Sequence, residues 1–138
     1  MPTTTIHSKM PTTKQKYCMD VVGNSRKEKT PVVVYPCNNS PSQKFRYNRK
    51  TRQIRSVSTN KCVDISSSNH IYQRKCNPRR KTQKWKPKNG RLVSMHNKTK
   101  CLDIEGGNYG LVLQGSKYEA GVLIVWPCHN GPNQKFAM

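Results

Sequence analysis

A chain of 138 residues that is 33% hydrophobic, with only two Phe and two Trp, has room for one core but not two, and aliphatic burial alone holds it weakly. Its 26 Lys and Arg against six Asp and Glu leave a formal charge of +20, which favours polyanionic partners such as sulfated glycans, anionic membranes or nucleic acid. No stretch approaches the length of a membrane span, since the longest apolar run, 121–126, has strand length.

The amino terminus, Met1-Pro2-Thr3-Thr4-Thr5, lacks the apolar segment of a secretory signal. A removed signal, another export route, or a domain cut from a longer chain would each account for this. No apolar i, i+3, i+4, i+7 pattern persists anywhere, and Pro, Asn, Ser and Gly recur throughout, so helices are not expected. Short β-like segments follow one another instead: Val32-Val33-Val34-Tyr35, Gln53-Ile54-Arg55-Ser56-Val57, Lys61-Cys62-Val63-Asp64-Ile65, Arg91-Leu92-Val93-Ser94-Met95 and Val122-Leu123-Ile124-Val125-Trp126. Short strands at this spacing, separated by turn residues, predict an all-β sandwich or barrel.

A repeat runs beneath these segments. Cys18-Met19-Asp20, Cys62-Val63-Asp64 and Cys101-Leu102-Asp103 are each followed by a second Cys and then by a tripeptide, Gln43-Lys44-Phe45, Gln83-Lys84-Trp85 or Gln134-Lys135-Phe136. Ile6, Ile54 and Leu92 precede the three Cys-x-Asp units, with Lys9-Met10-Pro11-Thr12-Thr13 read as a loop insertion in the first. The first unit therefore starts near Ile6 with almost no tail before it. The boundaries fall at about 1–50, 51–88 and 89–138, all within one domain. Gly106-Gly107-Asn108-Tyr109-Gly110 and the polar stretch to Gly121 lengthen the third unit by an extended loop or hairpin. Units of this length cannot bury an apolar face alone, but three around an axis close a barrel and remove most open strand edges. Phe45, Trp85 and Phe136 then take equivalent core positions, and the Gln residues before them bridge backbone groups.

The repeated Cys-x-Asp, the pairs Pro36-Cys37 and Pro127-Cys128, and the three Gln-x-aromatic endings resemble the ricin B-chain type β-trefoil lectin domain over essentially the whole chain. Ser42-Gln43-Lys44-Phe45-Arg46-Tyr47 and Gln83-Lys84-Trp85 are also similar to the cysteine-rich domain of mannose-receptor-type proteins. The resemblance implies an all-β fold: a β-trefoil with a six-stranded barrel capped by three hairpins. Six Cys without Cys-x-x-Cys or His-x-x-x-His spacing read as a disulfide framework rather than zinc ligands, and so as an oxidising compartment. Of the possible pairings the repeat selects Cys18–Cys37, Cys62–Cys76 and Cys101–Cys128. Each closes a loop worth about 3 kcal/mol in the chain-entropy model.

A sugar offers hydroxyls in a plane and one apolar C–H face, so its site needs a carboxylate or amide and an aromatic ring. In the family this set is the Asp after the first Cys, an aromatic before the Pro-Cys, and an Asn-Gln pair. The third unit carries all of it in Asp103, Trp126, Asn133 and Gln134, the main carbohydrate site. The first carries Asp20, Tyr35 and Gln43, with Ser42 where Asn is expected, a weaker site. The second keeps Asp64 and Gln83 but has Arg74 at the ring position and Thr82 at the Asn position, which removes stacking. Each residue also has a purely structural reading: Asp can order a turn, Gln can hold the fold, and Trp126 can be core.

The second unit supplies a dense basic run instead, with Arg74, Lys75, Arg79, Arg80 and Lys81 as the anion-binding candidates among nine cations between residues 74 and 91. Such a run can equally be a solvated face. His7, His70, His96 and His129 are scattered without nucleophile-activating spacing, so no catalytic residue, metal site or cofactor is expected. Asn38-Asn39-Ser40 and Asn97-Lys98-Thr99 match glycosylation acceptors. The expected protein is a non-enzymatic carbohydrate-binding module for galactose- or GalNAc-type, sulfated or sialylated glycans. It would serve attachment or adhesion on glycoproteins at an extracellular, cell or virion surface, without membrane insertion. The rivals are an electrostatic binder of heparin-like chains or nucleic acid, and a scaffold protein of a virus particle.

Overall fold

The computed structural model describes residues 2–12, 15–112 and 119–138. The end of the proposed loop insertion at Thr13, and 113–118 within the lengthened third unit, lie outside the described residues. Three successive units of four strands make up the fold. The first holds β1 (His7–Ser8), β2 (Tyr17–Val21), β3 (Val32–Pro36) and β4 (Phe45–Tyr47). The second holds β5 (Ile54–Ser56), β6 (Cys62–Ile65), β7 (Ile71–Arg74) and β8 (Trp85–Lys88). The third holds β9 (Arg91–Ser94), β10 (Lys100–Ile104), β12 (Glu119–Pro127) and β13 (Phe136–Ala137), with the extra strand β11 (Leu111–Val112) pairing with the start of β12.

The outer strands of the units close a six-membered circuit. β13 pairs with β1, β4 with β5, and β8 with β9, all antiparallel. Between these pairs, Thr4 bridges Phe45, Gln53 bridges Lys84, and Phe136 donates its amide to the Gly90 carbonyl at 2.9 Å. The middle strands form three hairpins, β2–β3, β6–β7 and β10–β12, which meet one another through Val34 and Gly121, Pro31 and Tyr72, and His70 and Ile124. This is the barrel and hairpin cap that the repeat implies.

The repeat also explains the core. Phe45, Trp85 and Phe136 are buried at equivalent positions, as are Ile6, Ile54 and Leu92. The central residue of each Cys-x-Asp, Met19, Val63 or Leu102, is buried too, and the next apolar residue after the Asp, Val21, Ile65 or Ile104, joins the same cluster. The disulfides are Cys18–Cys37, Cys62–Cys76 and Cys101–Cys128, one per unit, as expected. Strands that the sequence pattern leaves unmarked, such as β4, β8 and β13, are short, and β4 and β8 put Arg46 or Lys86 next to their single buried aromatic. Too few residues alternate there to mark a strand before its partners are known.

No α-helix occurs among the described residues; single 3-10 turns do. Pro41–Gln43, Lys81–Gln83 and Pro132–Gln134 each deliver the Gln to its buried place. Among the described residues no helix is long and apolar enough to cross a membrane.

Candidate functional site

The hairpin β10–β12 sets Cys101 opposite Trp126 and Asp103 opposite Ile124. Side chains two apart on a strand share a face, so Ile124 and Trp126 flank the Asp103 carboxylate. Asp103 is buried and its two oxygens are held separately: Asn133 Nδ2 donates to Oδ1 at 2.9 Å, and Gln134 Nε2 donates to Oδ2 at 2.7 Å. Burial pushes the Asp103 carboxyl above the usual carboxylate range, and the bonds from Gln134 and Asn133 and the nearby His129 pull it partly back. Trp126 is 54% exposed and is therefore not core. Together with Asp103, Asn133 and His129 it lines a cavity of about 330 Å³.

Gln134 supports the site from beneath. It is fully buried, accepts the His129 amide at 2.8 Å, and donates to the Pro127 carbonyl at 3.0 Å as well as to Asp103. Gln43 repeats this from Asn38, Pro36 and Asp20, and Gln83 from Asn77, Lys75 and Asp64. A buried amide with these partners holds the turn and aims the Asp, and Gln83 also accepts from Gln53 Nε2 at 2.9 Å. Gln43 is as deeply buried as Gln134.

His129 joins the site without having been expected there. Its Nδ1 accepts the Gly131 amide at 2.8 Å, and its Nε2 lies 3.6 Å from Asp103 Oδ2. With Nδ1 an acceptor, the neutral ring carries its proton on Nε2, facing the carboxylate. Asn38 and Asn77 close the matching turns by accepting the amides of Ser40 and Arg79. The residue after each second Cys is thus Asn, Asn and His, and that departure from the repeat is the signal that could have found His129. Glu105, Gly106 and Ile124, also on the cavity wall, carry no such mark.

In the first unit Tyr35 stands opposite Cys18, in the register of Trp126, and is half-buried. Gln43 donates to Asp20 Oδ2 at 2.9 Å, while Ser42 is buried and bonds Ser40. Asp20, like Asp103, is raised by burial, with bonds from Gln43 and Ser42 opposing the shift.

In the second unit Arg74 stands opposite Cys62, the same register again. Arg80 is not a free cation, because its Nε donates to Asp64 Oδ2 at 2.9 Å and Asp64 is completely buried. Arg74 and Arg80 line one cavity of about 510 Å³. The same two arginines also border a neighbouring cavity with Lys75 and Glu28, whose carboxylate accepts the Lys75 amide. Arg79 and Lys81 are exposed and line neither cavity. Lys29, Tyr72 and His96, none of them expected, share the first cavity with the two arginines. Among the described residues no group of three or more His, Cys, Asp or Glu is arranged to hold a metal ion.

No curated protein matches the chain. Among solved structures, the C-half of an earthworm R-type lectin in complex with GalNAc superposes with a TM-score of 0.80 at 18% identity, covering 99% of this chain and 97% of that one. The β-trefoil lectin of the Vibrio vulnificus hemolysin/cytolysin with N-acetyl-D-lactosamine bound gives 0.76 at 20% identity, covering 99% and 93%. A mutant of the earthworm lectin C-terminal domain in complex with 6'-sialyllactose gives 0.73 at 18%, covering 96% and 93%. At these identities the likeness concerns the fold. The model of the ricin-type beta-trefoil lectin domain matches residues 4–136, nearly the whole sequence, and the chain belongs to that family.

Proposed function

We propose that the chain is a carbohydrate-binding module, without catalysis, that attaches to glycans ending in galactose or N-acetylgalactosamine through its third unit. One observation carries the reading: a buried carboxylate, Asp103, is oriented by Asn133 and Gln134 at the floor of a cavity whose wall is the exposed ring of Trp126. A carboxylate with both oxygens fixed accepts from two neighbouring sugar hydroxyls, and an indole covers the C–H face. The ligands named for the family's solved members, GalNAc and N-acetyl-D-lactosamine, support the same sugar class. The first unit, with Asp20 and Tyr35 but Ser42 for Asn133, gives a weaker second site. The net charge of +20 favours glycans that also carry sulfate or carboxylate. Several weak sites on one surface raise avidity on clustered glycans, which suits attachment. Three disulfides suit an extracellular or surface setting.

The test is binding to neutral galactose- and GalNAc-terminated glycans at low and high salt, for the wild type, Trp126→Ala and Asp103→Asn. Binding should persist at high salt and fall at least about tenfold in both variants. Binding that vanishes with salt and ignores both substitutions would show that charge alone holds the glycan and would remove the reading.

A further inference from the structure

The second unit has converted the family's carboxylate site into a cationic one. Gln83 lies six residues after Asn77, whereas Gln43 and Gln134 lie five residues after Asn38 and His129 in the same bonding pattern. With that extra residue, Arg80 caps the turn Lys81–Gln83 where Ser40 and Gly131 cap the other two. Arg80 Nε donates to Asp64, whose other partners are the Ile65 amide at 2.7 Å and Gln83 Nε2 at 3.1 Å. Asp64 is thereby paired with a cation, holds three hydrogen bonds and is 0% exposed, so it presents no carboxylate to a sugar hydroxyl in the way Asp103 does. The Arg80 terminal nitrogens have no acceptor among the described residues, and the side chain is 34% exposed. Arg74 replaces the stacking ring.

The cavity of about 510 Å³ draws one wall from each unit: Lys29 from the first, Tyr72, Arg74, Arg80 and Thr82 from the second, and His96 from the third. Lys29 is fixed there by its own backbone, which is left-handed (φ 66°) and donates its amide to the Gln73 carbonyl at 2.8 Å. With Asp64 cancelled by Arg80, the charges of Lys29 and Arg74 are uncompensated by any carboxylate lining this cavity. Glu28 lines the neighbouring cavity with Lys75, which Arg74 and Arg80 also border, so its carboxylate acts on Arg74 from that side and not from within this cavity.

We propose that this cavity is an oxyanion site for an acidic sugar, taking the sulfate ester or carboxylate of a glycan between Lys29, Arg74 and Arg80. Guanidinium forks match the geometry of such oxyanions, and the Tyr72 and Thr82 hydroxyls can serve the ring oxygens around them. A concave cavity fits a single sugar residue, whereas a nucleic-acid backbone asks for an extended basic stripe that tracks successive phosphates. The site does not depend on sugar binding in the third unit.

The test titrates four probes: a sulfated heparin-type hexasaccharide, its desulfated counterpart, 6'-sialyllactose and a short DNA duplex. The proteins are the wild type, a site pair (Lys29→Asn with Arg74→Ala), a control pair of equal charge change (Lys86→Ala with Lys88→Ala) and Trp126→Ala. Asn suits the left-handed backbone at position 29, and Arg80 is left untouched so that Asp64 stays paired. The site pair should lose about tenfold or more toward the sulfated or the sialylated probe, and the control pair less than about twofold. Whichever of the two acidic glycans responds identifies the oxyanion. Desulfation should remove the response to the hexasaccharide. Equal losses in the two pairs would reduce the effect to net surface charge and overturn the proposal. So would DNA binding as tight as the glycan with the same dependence on Lys29 and Arg74, or acidic-glycan binding abolished by Trp126→Ala and unchanged in the site pair.

Discussion

Trp126 and Asp103 sit side by side under opposite constraints. The indole is exposed although burial is worth about 2–3 kcal/mol for a large apolar side chain, whereas the carboxylate is buried although water solvates it better. Both arrangements make sense around a ligand that covers the ring and brings hydroxyls to the acid. Replacing Trp126 with Ala should therefore leave thermal stability within about 0.5 kcal/mol of the wild type while removing glycan affinity, a split that calorimetry and a binding titration read separately. Asp103 gives the pH dependence. Because burial raises its folded pKa, the carboxylate is lost on acidification at a higher pH than an ordinary Asp. Once the pH is below that raised value, neutral-glycan affinity should fall about tenfold per pH unit. Stability runs the other way for this group. Between the unfolded and the raised folded pKa the unfolded chain holds fewer protons, so stability from Asp103 decreases as pH rises through that window. Affinity and stability should diverge on acidification, and a common fall of both through that window would mean that another group is being titrated.

Among the elements, the turn after each second Cys sets what each unit can bind. The unit with Asn38 has Ser40 and Ser42, the unit with Asn77 gains a residue and Arg80, and the unit with His129 needs Gly131. A Cβ at Gly131 would stand 2.6 Å from the His129 ring, a contact with no room for it. Gly131→Ala should therefore displace His129 from Asp103 and weaken glycan binding. His129→Asn should restore the turn seen at Asn38 and Asn77 and tolerate the methyl group that Gly131→Ala adds. A double-mutant cycle on stability should then give a coupling of about 1 kcal/mol between the two positions; additive effects would mean that the ring and the glycine do not share the turn. These turns also mark how far the sequence could be read. The Cys-x-Asp, Pro-Cys and Gln-x-aromatic repeats set the register, and register alone pairs the cysteines and brings Trp126 over Asp103, because equivalent strands meet equivalent partners. It does not say how deep a side chain lies, so the complete burial of Gln134 and Gln43 is not legible from it. Nor does it predict contacts between units. Lys29 and His96 reach the second unit's cavity only through packing around the axis, and Arg80 reaches Asp64 only because one added residue shifts the cap.

For the whole molecule, three local disulfides and a closed barrel hold together a chain whose charges repel one another. The disulfides span 19, 14 and 27 residues, each within its own unit. The longest loop, Cys101–Cys128, should stabilise about 0.6 kcal/mol more than the shortest, Cys62–Cys76, in the chain-entropy model. Removing each by paired Cys→Ala substitution and comparing denaturant midpoints checks that order. Charge acts on a longer scale. Among the described residues Arg80 and Asp64 are the only Lys or Arg and carboxylate within ion-pair distance, so the positive field of +20 is nearly uncompensated. Unfolding spreads these charges apart and relieves their repulsion, which favours the unfolded state most at low ionic strength. At about 0.15 M salt the screening length is roughly 8 Å, short enough to weaken repulsion between units. The Arg80–Asp64 pair, with its carboxylate buried and its guanidinium half-buried, is screened less than an exposed pair and should keep most of its strength. Salt should thus stabilise this protein where it weakens one held by surface ion pairs. Raising NaCl from about 0.01 to 0.15 M should raise Tm by about 4 °C, equivalent to roughly 1 kcal/mol in a domain of this size. Sulfate at equal ionic strength should raise it further if it occupies the cavity of Lys29, Arg74 and Arg80, because ligand bound only to the folded state adds to stability. That additional rise should disappear in the Lys29→Asn and Arg74→Ala pair while the general effect of NaCl remains, which separates screening of the whole surface from occupation of one site.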